Sequence, residues 1–247
     1  MIIYAGITDI GRRRLLNEDA IHAEDGLLVV CDGMGGHKAG EVASRLAIDS
    51  IVAFVRRSGD DPEITWPYGF DPRASFTGNR LRTAIKLANR AVFRKAASAE
   101  DYTGMGTTVA AVMIPPTATH MTFAGVGDSR IYLVRDGVIR QLTRDDSWAS
   151  LGIDDTTPGT SPRNVLTKAV GAQEDVQFDV QTHPLADGDR VLLCSDGLTN
   201  MLPDARILAV VAERETDLEA ACAELVAEAN RTGGRDNVSV ILARYQR

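Results

Sequence analysis

Short apolar runs rich in Val, Ile and Leu, each bounded by Gly, Asp or Pro, recur at residues 27–31, 108–114, 121–124, 131–134, 191–194 and 238–243. Their length and β-branched content predict strands. Asp136-Gly137 stands between residues 131–135 and 138–142, the chemistry of a two-residue hairpin turn, so antiparallel pairing is expected there. Segments 40–57, 79–98, 204–214 and 217–231 carry apolar positions three and four apart, as in the stripe Leu81, Ile85, Ala88 and Val92. That period predicts helices with one face on a core.

The helices fall in two batches with strands grouped between them, which excludes a regular βαβ alternation. An α+β class is expected: a four-layer αββα sandwich, two antiparallel β-sheets flanked by helices. Residues 58–78 and 145–164 are rich in Gly, Pro, Asp, Ser and Thr and predict exposed loops of functional length. Trp66-Pro67-Tyr68, within the first, has no assigned role. No repeat, linker or low-complexity tract divides the 247 residues, so one domain over 1–247 is expected.

Hydrophobic residues at 44% and charged residues at 25% leave ample material for a core. The net charge of −7 argues against nucleic acid or an anionic membrane as partner, because both require a basic surface. The start Met1-Ile2-Ile3-Tyr4-Ala5-Gly6 does not resemble a signal peptide and no run is long enough to span a bilayer, so a cytoplasmic location is expected. Cys31, Cys194 and Cys222 lack the spacing of a zinc site or disulfide framework and are expected as core residues.

Candidate chemistry centres on four aspartates placed where predicted strands meet loops: Asp32, Asp128, Asp196 and Asp236, all in glycine-rich surroundings. Carboxylate, carbonyl and water oxygens suit Mg²⁺ and Mn²⁺. Taken singly, each of Asp32, Asp196 and Asp236 reads as a turn residue; their joint occurrence at strand ends points to a metal site, and Asp128-Ser129-Arg130 reads either as part of it or as a loop entering the hairpin. No Cys stands six positions before an Arg, which excludes a thiolate phosphate loop, and no P-loop, dinucleotide fingerprint or His-Glu-x-x-His is present. With only His22, His37, His120 and His183, His-based catalysis has little to draw on.

Six segments in order carry a family resemblance: Gly11-Arg12-Arg13-Arg14-Leu15-Leu16-Asn17-Glu18-Asp19-Ala20, Val30-Cys31-Asp32-Gly33-Met34-Gly35-Gly36-His37, Gly104-Met105-Gly106-Thr107-Thr108, Gly125-Val126-Gly127-Asp128-Ser129-Arg130, Asp196-Gly197-Leu198 and Arg235-Asp236-Asn237-Val238-Ser239-Val240. Together they resemble the motifs of the PP2C-type, metal-dependent Ser/Thr protein phosphatases in their bacterial form. The resemblance implies a sandwich with a dinuclear Mn²⁺ or Mg²⁺ centre at one end and water as the nucleophile, without a phosphoenzyme. It implies that Asp32 bridges two metals, that the Gly33 carbonyl completes the first site, and that Asp196 and Asp236 hold the second. Asp128, with Asp196, resembles the pair that binds a third metal. Glu18 and Asp19 resemble outer carboxylates that orient water, and Arg14, three before Asn17, resembles the phosphate-binding arginine.

The chain departs from animal relatives at Met34 and Asn200, where those carry His and Asp, and from many bacterial ones at Asp145-Asp146-Ser147, where those carry Asp-His-Ser. Met34 cannot serve as a general acid. Phosphorylated proteins and a cognate Ser/Thr kinase are the implied partners, and a monomer is expected. Two rival readings are a silent module that only recognises phosphoproteins and an enzyme acting on small phosphate esters.

Overall fold

In the computed structural model, residues 1–24, 26–36, 39–60, 64–148 and 165–247 are described. Their strands are β1 (Ile2–Asp9), β2 (Asp19–Glu24), β3 (Leu27–Met34), β4 (Gly106–Thr107), β5 (Val109–Met113), β6 (His120–Val126), β7 (Arg130–Arg135), β8 (Val138–Gln141), β9 (Val180–Pro184), β10 (Arg190–Cys194) and β11 (Val238–Tyr245). The helices are α1 (Ala39–Asp60), α2 (Phe76–Ala96), α3 (Asp196–Thr199), α4 (Asp204–Glu213) and α5 (Leu218–Thr232). One sheet runs β1-β11-β10-β7-β8; the other runs β2-β3-β5-β6-β9, with β4 paired to β3. Every pairing is antiparallel.

Three apolar layers explain the order of elements. Side chains alternate across a strand, so Leu28 and Val30 of β3 enter the layer between the sheets with Val112, Ile131, Leu193 and Ile241. Val29 and Cys31 face the other way, into the layer under α1 and α2 with Ile51, Leu81 and Ile85. On the opposite side, Leu192, Cys194 and Val240 pack under α4 and α5 with Ile207, Val210 and Leu225. The expected αββα sandwich is therefore present, and all three cysteines are free and buried in it.

Where the chain departs from the sequence expectation, the cause is local. β1 and β9 are sheet-edge strands absent from the predicted set: β9 is mostly exposed and carries no apolar run, and the run Ile2-Ile3-Tyr4-Ala5 of β1 alternates between exposed and half-buried or buried positions. β2 carries only half-buried positions after Asp19. The loop expected over 58–78 is shorter, because α1 continues to Asp60 and α2 begins at Phe76, where the Ser75 side chain accepts from the Gly78 N–H at 2.9 Å. In the described part of that loop, Trp66 packs edge-on against Phe54, Phe70 and Phe76, a structural role. Most of the loop expected over 145–164 lies outside the described residues, as does His37.

The hairpin β7–β8 forms as its turn chemistry requires. Asp136 (φ 51°) and Gly137 (φ 73°) are both left-handed, the backbone of a type I′ turn, and Arg135 pairs with Val138 across it.

Leu193 is fully buried between the sheets, whereas Val138 at the hairpin is 63% exposed. Leu193→Ala is expected to cost about 2–5 kcal/mol of stability through lost burial and a residual cavity, and Val138→Thr about 0.5 kcal/mol or less. Equilibrium denaturant unfolding of both variants checks this contrast.

Candidate active site

The candidate site assembles where the layer between the sheets runs out at one end. In the β2–β3 register Asp19 lies directly opposite Asp32, so the two side chains share a face. Asp32 is thus inside β3 rather than at its end, a correction to the sequence expectation, and it continues the face of Leu28 and Val30. From the other sheet, Asp196 follows β10 through Ser195 and opens α3, while Asp236 stands two residues before β11. Asp128 sits in the turn between β6 and β7. Asp19, Asp32, Asp128, Asp196 and Asp236 therefore converge from both sheets, close enough for the charges of the other four to act on Asp32.

Like charges placed opposite one another in a sheet are destabilising, and the surrounding hydrogen bonds explain how the pair is held. The Asp32 N–H donates to Thr108 Oγ1 at 2.9 Å, and the Asp32 carbonyl accepts from Thr107 Oγ1 at 2.9 Å and the Thr108 N–H at 2.8 Å. Ser195 Oγ donates to Asp19 Oδ2 at 2.8 Å and accepts from the Ser239 N–H at 3.0 Å, tying the two sheets together through a carboxylate that is only 7% exposed.

Asn237, 3% exposed, fixes the approach to the site. Its Nδ2 donates to the Ile10 and Leu16 carbonyls, both at 2.9 Å, and its Oδ1 accepts from the Glu18 N–H at 2.9 Å. One amide thereby pins both ends of the segment bearing Arg14 and Glu18. The Asp236-Asn237 motif flagged Asn237 in the sequence, but its role depends on partners more than two hundred residues away, which no local pattern reveals.

Burial and mutual repulsion raise the acids of this cluster. Burial first, and then the charges of Asp19, Asp196, Asp236 and Asp128, hold Asp32 well above the carboxylate range. Burial pushes Asp19 up to about 7, against the hydrogen bonds of Ser239 and Ser195. Asp128 is also pushed up to about 7, by burial and then by Asp196 and Asp145. Asp196 is raised by burial and by Asp236, and Glu18 by burial in spite of Arg14. Glu18 Oε1, Asp19 Oδ1 and Asp196 Oδ1 are buried without a hydrogen-bond partner. A pocket of oxygens short of positive charge, with unsatisfied lone pairs, fits hard divalent cations.

Among the described residues no three His, Cys, Asp or Glu side chains stand in a ready ligand set. Two donors occupy carboxylate oxygens instead: Arg14 donates to Asp236 Oδ2 at 2.7 Å and Asn200 Nδ2 to Asp196 Oδ2 at 2.9 Å. Arg14 also lies 3.8 Å from Glu18. Asn200 thus contributes a neutral donor one helical turn beyond Asp196. At Gly33 the glycine is required by crowding: its N–H donates to the Glu18 carbonyl at 3.1 Å, and a Cβ would overlap the Gly40 carbonyl oxygen. Asp145 accepts a two-pronged bond from Arg130, and Asp146 pairs with Lys168 at 2.9 Å, so both have protein partners.

These features define a class. The Protein phosphatase 2C family model matches residues 10–237, and the chain belongs to that family. Among particular relatives, the chain is 35% identical over 246 residues to the serine/threonine protein phosphatase PstP of Mycobacterium tuberculosis, covering 97% of this chain and 44% of PstP. It therefore spans less than half the length of that relative. The serine/threonine phosphatase stp of Listeria monocytogenes is 36% identical over 250 residues, covering 95% of this chain and 92% of stp. The crystal structure of the PstP catalytic domain in complex with two manganese ions superposes with a TM-score of 0.83 at 32% identity, covering 100% of this chain and 99% of that one.

Two outcomes follow for this site. Asn237→Ala leaves two carbonyls and an N–H unpaired and is expected to cost about 3 kcal/mol, at roughly 1 kcal/mol for each bond; denaturant unfolding measures it. In metal-free protein Asp19 and Asp128 hold protons in the fold that the unfolded chain has released. Stability is therefore expected to fall as pH rises from about 4 to about 7. Thermal melts in chelator across that range, repeated with Mn²⁺ at the upper end, should show the loss and its reversal by the cation.

Proposed function

We propose that the chain is a metal-dependent phosphoprotein phosphatase that hydrolyses phosphoserine and phosphothreonine esters, acting in the cytoplasm as a monomeric single domain. The observation that carries this reading is the convergence of five buried or half-buried carboxylates from both sheets, with Arg14 bonded to Asp236 among them. Membership of the family and the manganese-bound PstP relative support it. Three buried free thiols suit a reducing compartment, and among the described residues no helix is long and apolar enough to cross a membrane. A cognate Ser/Thr kinase would supply the phosphorylated partners.

In this reading Asp32, the Gly33 carbonyl, Asp196 and Asp236 hold two Mn²⁺ or Mg²⁺ ions, and Asp128 with Asp196 takes a third. Bound cations offset charge on the phosphoryl oxygens and bring the acidity of a water close to neutral pH. Glu18 and Asp19 orient the attacking water by accepting its hydrogens. Arg14 exchanges Asp236 for the substrate, its planar guanidinium gripping two phosphoryl oxygens and setting phosphorus in line for attack. Water oxygen bonds to phosphorus as the ester P–O bond breaks, and the proton that the water gives up goes to the leaving serine or threonine oxygen.

Phosphate release from a phosphothreonine peptide by metal-stripped protein, with and without Mn²⁺, tests the proposal. Release is expected only with the cation. Asp196→Ala is expected to lower kcat at least about a hundredfold, and Arg14→Ala to raise KM about tenfold with a smaller change in kcat. Phosphopeptide binding without release under any divalent cation would favour a silent recognition module instead.

A further inference from the structure

Three arginines around the site have no part in the chemistry above. Arg12, Arg13 and Arg235 are exposed, and among the described residues none of them has an ion-pair or side-chain hydrogen-bond partner. Among the described residues other arginines are paired, for example Arg130 with Asp145, Arg135 with Asp189 and Arg206 with Glu228. Exposed arginines without such a partner also occur at Arg57, Arg90, Arg94, Arg140 and Arg144; what sets Arg12, Arg13 and Arg235 apart is their place in the chain, directly beside Arg14 and Asp236.

Backbone contacts hold them together. The Arg12 N–H donates to the Gly234 carbonyl at 2.7 Å, and a Cβ on Gly234 would strike the Arg12 side chain, so Arg12 lies over the residue next to Arg235. Arg14, one residue beyond Arg13, bonds Asp236, one residue beyond Arg235. Asn237 fixes the segment at Ile10 and at Leu16, so the rim is presented by an anchored loop. Leu15, 94% exposed, stands on the same segment. Arg12, Arg13 and Arg235 therefore border the side of the site where Arg14 meets Asp236.

We propose that Arg12, Arg13 and Arg235 form a docking rim that recognises anionic side chains flanking the phosphorylated residue of a protein substrate. This rests on the phosphatase reading and adds a substrate preference to it. An extended peptide advances about 3.3 Å per residue. Side chains a few positions from the phosphoresidue, once that residue is at Arg14, thus fall within reach of Arg12 and Arg13 on the same loop and of Arg235 on the segment before β11. Exposed charges act within about 10 Å at moderate salt, so the rim favours encounter with acidic segments and loses that advantage as salt rises. Carboxylates and a second phosphate offer the same anionic chemistry.

The test compares Mn²⁺-dependent kcat/KM on three phosphothreonine peptides: one flanked by Glu, one by Gln, and one carrying a second phosphothreonine in place of the Glu residues. At low ionic strength an advantage of about tenfold over the Gln peptide is expected for one or both anionic peptides. It should vanish at several hundred millimolar salt and in the double variant Arg13→Glu, Arg235→Glu, with turnover of p-nitrophenyl phosphate unchanged. Gain with Glu alone assigns the rim to carboxylates, and gain with the second phosphate alone assigns it to multiply phosphorylated segments. Equal kcat/KM on all three peptides, or an advantage that survives charge reversal, overturns the rim. Absence of release from every peptide overturns the phosphatase reading, and the rim with it.

Discussion

Five aspartates crowd into one end of the space between two sheets, and the surrounding structure is arranged around the cost of that crowding. Asp19 and Asp32 face each other across β2 and β3, while Asp196 and Asp236 arrive from the adjoining ends of β10 and β11. Without added positive charge the cluster lowers its repulsion by keeping protons and by borrowing donors from Arg14, Asn200 and Ser195. In the proposed reading, divalent cations would replace the Arg14 and Asn200 contacts, while the Ser195 bond to Asp19 stays. The same feature thus makes the fold costly to hold at neutral pH when metal-free and gives it a use when loaded.

Much of the architecture is legible in the sequence because it rests on local pattern. The runs that become β3, β5, β6, β7, β10 and β11 are buried on both faces or nearly so, and the stripe Leu81, Ile85, Ala88 and Val92 lies wholly in the layer under α2. The type I′ turn at Asp136-Gly137 is legible for the same reason, since only two residues decide it. The edge strands β1 and β9 are less so: each has one neighbour, β9 is mostly exposed, and the apolar start of β1 alternates with exposed positions.

The candidate site divides in the same way. Asp32, Asp128, Asp196 and Asp236 stand out in the sequence because Gly accompanies each, and the structure brings all four together. Most of the residues that hold them lie in the same motifs, but what they bond to is not legible there. Ser195, Ser239, Thr107 and Thr108 are ordinary polar residues until the two sheets meet, and Asn237 acquires its function only when Ile10, Leu16 and Glu18 fold against it. Asp19 stands out only through the family resemblance, and only strand register reveals that it faces Asp32. Gly33 reads as a means of bringing a carbonyl close to an ion, yet the packing of β3 against the start of α1 would demand glycine there in any case.

The hydrogen bond from Ser195 to Asp19 joins the two sheets at the site itself. A bond of this kind tolerates only a fraction of an ångström before it weakens, so it makes the cluster a gauge of how the sheets are seated on each other. Interior changes well away from the aspartates, among the Leu28, Val112 and Ile241 side chains, alter that seating first and reach the carboxylates through it. Ion affinity in this protein is therefore a property of the whole sandwich, and its drift in a variant reports slippage between the layers while the chain is still folded.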